Sequence, residues 1–202
     1  MIATVWDSGY VESEESNLIA YDGESLKSGT RYYYYVEIFG ERSQYKSPVF
    51  TFFTAILEER EWDACWIGGA GVKDHSFLFR WPFYVKDDVK TAAAFVASPN
   101  YYQLTLDGEN VRDTKLNNAF TEYGKTLLYE TYPFDAAKGE HVLGVEMGNG
   151  WYAMELGERG AAKGEHVLAM QIRMEYQDGT VEWLTGNCDD CFCSSQAPSV
   201  FN

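Results

Sequence analysis

The feature that most constrains this chain is the spacing of its apolar residues, which alternates in short runs and sustains no helical period over three turns. Arg31–Phe39 reads RYYYYVEIF, so an extended segment would put Tyr32, Tyr34, Val36 and Ile38 on one side and Tyr33, Tyr35, Glu37 and Phe39 on the other. Phe79–Val85, Ala92–Ala97, Tyr102–Leu106, Val142–Met147, Leu168–Met174 and Thr180–Leu184 are further strand-length runs. Turn signals separate them at Tyr21-Asp22-Gly23, Lys27-Ser28-Gly29, Asp107-Gly108, Lys138-Gly139 and Gln177-Asp178-Gly179. Asp107-Gly108 and Asp178-Gly179 predict tight two-residue hairpins, because such turns need positive φ at both central positions. Many short strands with regular turns predict an all-β chain of antiparallel sandwiches.

A boundary is expected near Ala55–Glu61, where the run Ser47–Thr54 gives way to ILEEREW. It divides the chain into residues 1–55 and 56–202. In the first part WDSG at Trp6–Gly9 is expected to open a strand. Leu26 with Tyr32 looks like a tyrosine-corner strand, and Phe50–Thr54 like a last strand, of a fibronectin type III-like sandwich. Such a sandwich takes about 100 residues. This unit has about half of that, so it reads as partial, and an unpaired edge invites pairing. It is expected to be dimerised through exposed strand edges, partly disordered, or docked on the second unit. The second part has enough strands for an antiparallel jelly-roll-like β-sandwich.

Composition excludes several functions. A net charge of −15, with no basic cluster, repels a phosphate backbone or an anionic bilayer, so neither nucleic acid nor membrane is an expected partner. No run of eighteen apolar residues suggests a membrane span, and the N-terminus has no signal-peptide pattern, which predicts a cytoplasmic location. Cys188, Cys191 and Cys193 form CDDCFC. A structural zinc needs four ligands, and no second close pair follows, so these and Cys65 are expected as free thiols with no metal. Gly68-Gly69-Ala70-Gly71 lacks the Lys-Ser/Thr ending of a phosphate loop and reads as a surface loop. Glycoside hydrolysis needs two carboxyls flanking the bond. None of the 31 acidic residues sits in a motif that marks a general acid or base, and no G-x-S-x-G elbow is present, so no catalytic residue is assigned. The octapeptide AAKGEHVL occurs at Ala136–Leu143 and again at Ala161–Leu168; each copy reads as a turn leading into a strand, from a local duplication.

Four motifs in a fixed order carry a resemblance: WDSG at Trp6–Gly9, EWDACWIG at Glu61–Gly68, LTLDGENV at Leu104–Val111 and VEMGNGWY at Val145–Tyr152. LFRWPFYV at Leu78–Val85 and the Tyr-rich run before GNGWY add to it. Together they resemble the N-terminal β-rich part of bacterial α-L-rhamnosidases of glycoside hydrolase family 78. The resemblance implies a parent that hydrolyses terminal α-L-rhamnose, with its catalytic carboxylates on an (α/α) barrel that has no counterpart in this sequence. That barrel is then the implied partner, and the chain is implied to be a non-catalytic accessory piece. Rhamnose binding by a β-sandwich in some members, in one case with calcium, implies a rhamnose-containing carbohydrate as ligand. The candidate contacts are Asn149, Trp151, Tyr152 and Asp107, since sugars stack on aromatic rings and offer hydroxyls to amides and carboxylates. The same GNGWY reads as a tight turn with Trp151 buried against the barrel, and large aromatics are mostly buried on average. A free-standing carbohydrate-binding module and a small independent glycosidase are the two alternatives.

Overall fold

The computed structural model describes residues 5–15, 17, 19–68, 76–153, 164–187, 189 and 192–194. Apart from one helical turn and a single 3-10 turn at Glu59–Glu61, its regular elements are antiparallel strands. The first four are β1 (Arg31–Tyr34), β2 (Glu37–Phe39), β3 (Gln44–Lys46) and β4 (Phe50–Phe53). They form one long hairpin. β1 pairs with β4 and β2 with β3. Tyr34 faces Phe50 and Glu37 faces Lys46, so two residues on one side span three on the other. The extra residue falls at Ser47-Pro48-Val49, where Pro48 has no N–H to give to a ladder. RYYYYVEIF is therefore two short strands rather than one.

One further expectation is corrected. WDSG opens no strand: the Asp7 carboxylate accepts the Gly9 N–H at 2.9 Å and Gly9 has φ +62, a local turn that ends extension. Tyr32, by contrast, makes the corner expected of it, its hydroxyl accepting the Lys27 N–H at 2.9 Å.

The remaining strands are β5 (Ile67–Gly68), β6 (Phe77–Val85), β7 (Val89–Ala97), β8 (Tyr101–Leu106), β9 (Glu109–Asn110), β10 (Tyr129–Phe134), β11 (Gly139–Gly148), β12 (Val167–Tyr176), β13 (Val181–Thr185) and β14 (Phe192–Ser194). One sheet runs β10-β7-β12-β13 with β5 added on β12, and the other runs β14-β6-β11-β8-β9. Alternation makes their shared core. Phe77, Phe79, Trp81, Phe83 and Val85 point inward from β6, with Leu143, Val145 and Met147 from β11 and Leu104 from β8. Ala94, Val96, Leu168, Met170, Ile172 and Met174 meet them from the other sheet. Small alanines on β7 leave room for the β6 aromatics, as interdigitating layers require.

The β7–β12 sheet is buried on its second face too. Ala93, Phe95, Ala97, Ala169, Gln171 and Arg173 have the opposite parity and are still buried. Tyr129 and Trp183 pack against Phe95, and residues 27–30 and 54–63 supply further cover. Arg173 donates to the Gly29 carbonyl at 3.0 Å. Gly29 lies so close that a Cβ there would stand 2.7 Å from Arg173 Cδ and 3.1 Å from Phe95. The Gln171 amide donates to the Glu61 carbonyl at 2.8 Å and accepts the Asp63 N–H at 2.9 Å. The Tyr129 hydroxyl accepts the Ile56 N–H and donates to its carbonyl, while Trp62 packs on the Tyr129 ring. Of the three fates expected for the partial first unit, docking onto the following sandwich is the one that the Gly29 contacts with Arg173 and Phe95 show.

The two Asp-Gly turns differ. Asp107 and Gly108 both have positive φ, +52 and +88, and close β8 on β9 as expected. At the second, only Gly179 is left-handed, and Gly179 N–H bonds to the Tyr176 carbonyl at 3.0 Å. This is a three-residue loop, because the Asp178 carboxylate caps the Thr180 N–H and hydroxyl and keeps Asp178 itself out of the left-handed region.

Arg173→Ala leaves the Gly29 carbonyl buried without its donor. We expect a loss of about 1–3 kcal/mol in urea unfolding, with hydrogen exchange rising in residues 27–30 and 54–63. Exchange unchanged there would separate Arg173 from the docking.

Candidate functional site

Gly148 ends β11 opposite Tyr101, the first residue of β8, and the chain then makes one helical turn, α1 (Gly150–Ala153). Gly150 has φ +56, and a Cβ there would sit 2.7 Å from the Tyr101 nitrogen, so only glycine fits. The Asn149 carbonyl accepts the Ala153 N–H at 3.3 Å and the Asn100 side-chain amide at 3.1 Å. Asn100 is fully buried. Its Oδ1 takes the Val167 N–H at 3.2 Å, and its own N–H donates to Ser98 Oγ, which donates on to the Val167 carbonyl at 2.8 Å. The GNGWY turn is thus tied to both sheets through a satisfied polar network.

This anchoring splits the candidate residues. Tyr152 packs edge-to-face on Tyr123 at 5.3 Å, and Tyr123 packs likewise on Phe120 at 5.5 Å. Gly164 lies flat against the Tyr152 ring, where a Cβ would fall 1.7 Å from it, and donates its N–H to the Tyr152 carbonyl. Burial, helped by neighbouring Tyr101, pushes the Tyr123 phenol pKa up. Trp151 is 41% exposed and the Asn149 side chain is exposed as well. Tyr152 is half-buried, so Trp151 and Asn149 present the freer surface.

Asp107 is not brought to them. The β8–β11 register sets Tyr101 against Gly148 at one end and Leu106 against Leu143 at the other. Asp107 therefore stands about 20 Å away, at ~3.3 Å per strand residue. Its carboxylate is already engaged, accepting the Val142 N–H at 2.8 Å and meeting His141 Nδ1 at 2.7 Å. The other ring nitrogen of His141 faces the Ala137 carbonyl at 2.7 Å. A carbonyl and a carboxylate both accept, so the ring satisfies both only when it carries two protons. Burial works against the charge on each group. The His141 bond, the Val142 N–H and the attraction outweigh it for Asp107 and hold that pKa down. The Asp107 bond and the Ala137 carbonyl raise that of His141.

The other shifted carboxylates behave alike. Burial would raise Glu175, but Lys90 at 2.7 Å and Arg173 at 3.3 Å hold it low. Burial would raise Glu182, but Lys86 and the Tyr176 hydroxyl lower it, while Tyr176 itself is pushed up to about 12 by burial and by that carboxylate. The Thr180 hydroxyl and N–H lower Asp178. Each carboxylate with a shift is thus stabilised as an anion, the reverse of a general acid's need. Among the described residues no three His, Cys, Asp or Glu gather as metal ligands. Cys65 is an exposed free thiol. Gly69–Gly71, Cys188 and Cys191 lie outside the described residues, and Cys193 lies in β14.

Sequence reasoning missed Phe120, Tyr123 and Asn100. The first two sit in 111–128, which has no alternation to mark it, and Asn100 lies in a turn that reads as punctuation. The only available signal was the aromatic content of AFTEYG.

A lowered Asp contributes above its unfolded pKa of about 3.9, and a raised His contributes below about 6.5. Asp107→Asn is therefore expected to cost most between about pH 4 and 6.5, by up to ~1 kcal/mol for so exposed a pair. The cost shrinks as pH rises through the folded His141 pKa. Thermal melts of both proteins from pH 4 to 9 measure it, and a pH-independent difference would separate Asp107 from His141.

Two family models match. One, described as the alpha-L-rhamnosidase N-terminal domain, covers residues 87–201, and the other, a Rha78A-like N-terminal immunoglobulin domain, covers residues 2–58. An alpha-L-rhamnosidase of Formosa agariphila is 28% identical over 99% of this chain and 24% of its own length. One of Streptomyces avermitilis is 27% identical over 55% of this chain and 13% of its own. The solved alpha-L-rhamnosidase of Dictyoglumus thermophilum superposes with a TM-score of 0.79 at 27% identity, over 96% of this chain and 24% of that one. That of Aspergillus terreus reaches 0.81 at 21% identity, which speaks to the fold alone, over 95% and 24%. The chain spans about a quarter of the length of the first of these relatives and of both solved structures. With more than half of its residues matched by the family model, the chain belongs to the alpha-L-rhamnosidase N-terminal domain family.

Proposed function

We propose that this chain is the non-catalytic accessory β-sandwich part of an α-L-rhamnosidase, whose whole enzyme removes terminal α-L-rhamnose from glycans or glycosides. In this reading it packs on the catalytic (α/α) barrel. The observation that carries the reading is the family match across 87–201; beside it, the four carboxylates with a shifted pKa, Asp107, Glu175, Asp178 and Glu182, are each held as anions by a Lys, Arg, His or turn donor. A glycosidase needs one carboxyl kept protonated near neutral pH. In the same reading the rigid turn at Asn149–Tyr152 meets the rest of the enzyme through Trp151.

A second reading is favoured by one observation. Asn149 and Trp151 are both exposed on a turn whose backbone is fixed, which is the pre-organised aromatic-plus-amide surface a sugar ring uses. Asp107 stands too far off to share one monosaccharide with them.

The chain alone is expected to release no p-nitrophenol from p-nitrophenyl α-L-rhamnoside above the buffer blank; sustained turnover would move the chemistry onto these sheets. Isothermal titration with millimolar L-rhamnose, with and without calcium, separates the two readings. Heat that vanishes in Trp151→Ala identifies a sugar contact, and the absence of heat leaves Trp151 to packing.

A further inference from the structure

The β1–β4 hairpin carries a face that the docking contacts leave open. Cross-strand partners Tyr32 and Phe52, Tyr34 and Phe50, and Ile38 and Tyr45 lie side by side on it, with Val36 between. The Tyr32 and Phe52 rings stack at 5.5 Å, and Tyr34 touches Phe50 and Phe52. Tyr34, Val36, Ile38, Tyr45, Phe50 and Phe52 are each between 42% and 61% exposed.

The charged residues of these strands take the other face. Glu37 pairs across the ladder with Lys46, and the Lys46 ammonium sits 3.8 Å over the Tyr35 ring, so Tyr35, Glu37 and Lys46 share a side. Arg31 faces Phe53 on that same side. The aromatic stripe therefore holds no formal charge.

We infer that this stripe is a two-fold interface, and that its occupant is the same stripe of a second copy of the chain. Three observations select that occupant. First, a two-stranded ribbon is marginal in water unless a further layer covers its apolar face, and among the described residues β1 and β4 pair only with each other. Second, charge does not oppose two copies meeting here. The whole chain carries −15, while the stripe itself carries no formal charge. Two copies meeting here bring apolar rings together instead of acid onto acid. Third, the area suffices. Six side chains at this exposure offer on the order of 600–700 Å² per copy, about 1,300 Å² for the pair, within the range of stable interfaces. Tyrosine and phenylalanine are also residue types enriched in such contacts.

Sedimentation velocity of the full 202-residue chain over a micromolar concentration series tests the inference. The expected result is a concentration-dependent rise from 23.0 kDa to twice that mass. Phe50→Glu should weaken the dimer at least about tenfold, as loss of a central aromatic does. Tyr33→Glu, more exposed but on the opposite face, should leave it unchanged. A monomer throughout, or equal loss in both variants, overturns the inference. Because Phe50→Glu could loosen the hairpin itself, p-benzoylphenylalanine at position 45 gives an independent reading. Photolysis should join it to residues 32–52 of a second copy. Crosslinks confined to its own chain, or to another surface, overturn the inference as well.

Discussion

The arrangement of this protein depends on a sheet that is buried on both faces. An antiparallel sandwich normally keeps one face of each sheet in water, so outward residues can be polar at no cost. Here the central outward positions of β7 and β12, Ala93, Phe95, Ala97, Ala169, Gln171 and Arg173, are buried. Covering them takes Gln171 and Arg173 out of water, which is tolerable only if their donors and acceptors are met. Residues 27–30 and 54–63 meet them with main-chain groups: the Gly29 and Glu61 carbonyls and the Asp63 N–H. Backbone partners fix the position of the covering segment more closely than side chains could, since they have no rotamers. Ser28 then ties the cover to itself, accepting the Leu57 N–H at 2.8 Å and donating to the Glu61 carboxylate.

That constraint explains which parts of the fold could be read from the sequence. Strands with strict alternation, such as FLFRWPFYV and VLGVEM, announced themselves because one face is core and the other is not. β7 and β12 read as strands from their continuous apolar runs, but nothing in those runs named what lies on the second face. Gln171 and Arg173 in MQIRM look like ordinary outward residues until residues far earlier in the chain are brought onto them. The interruption of RYYYYVEIF was not visible within the run, because its cause, Pro48, lies on the partner strand. WDSG misled because an Asp two residues before a Gly makes a local turn by itself.

Of the candidate site, the glycine logic of GNGWY was legible and the grouping was not. Asp107 is a candidate because a carboxylate can accept from sugar hydroxyls, yet the turn consumes it: a carboxylate with positive φ, one oxygen on the Val142 N–H and the other on His141, has little left for a ligand. The duplicated octapeptide shows the same dependence on context. Both copies lead into a strand and both bury their leucine, Leu143 in one sheet and Leu168 in the other. Their histidines diverge. His141 is held between two acceptors near the surface, while His166 is fully buried with its ring stacked on Phe77. Identical residues thus acquire a charged surface role in one place and a packing role in the other, and only the neighbouring strand decides which.

The two open surfaces differ in how they are supported, and that difference bears on their roles. At the Asn149–Tyr152 end the backbone is held by Asn100, Ser98 and a glycine that admits no side chain, so its geometry exists before any partner arrives. Binding there loses little freedom, which suits recognition of a small or rigid surface. The hairpin stripe is the opposite case. Its strands are three or four residues long, bulged at Pro48, and hold each other through few ladder bonds. On the two-fold interface inferred above, a short ribbon of that kind gains order from the layer that covers it.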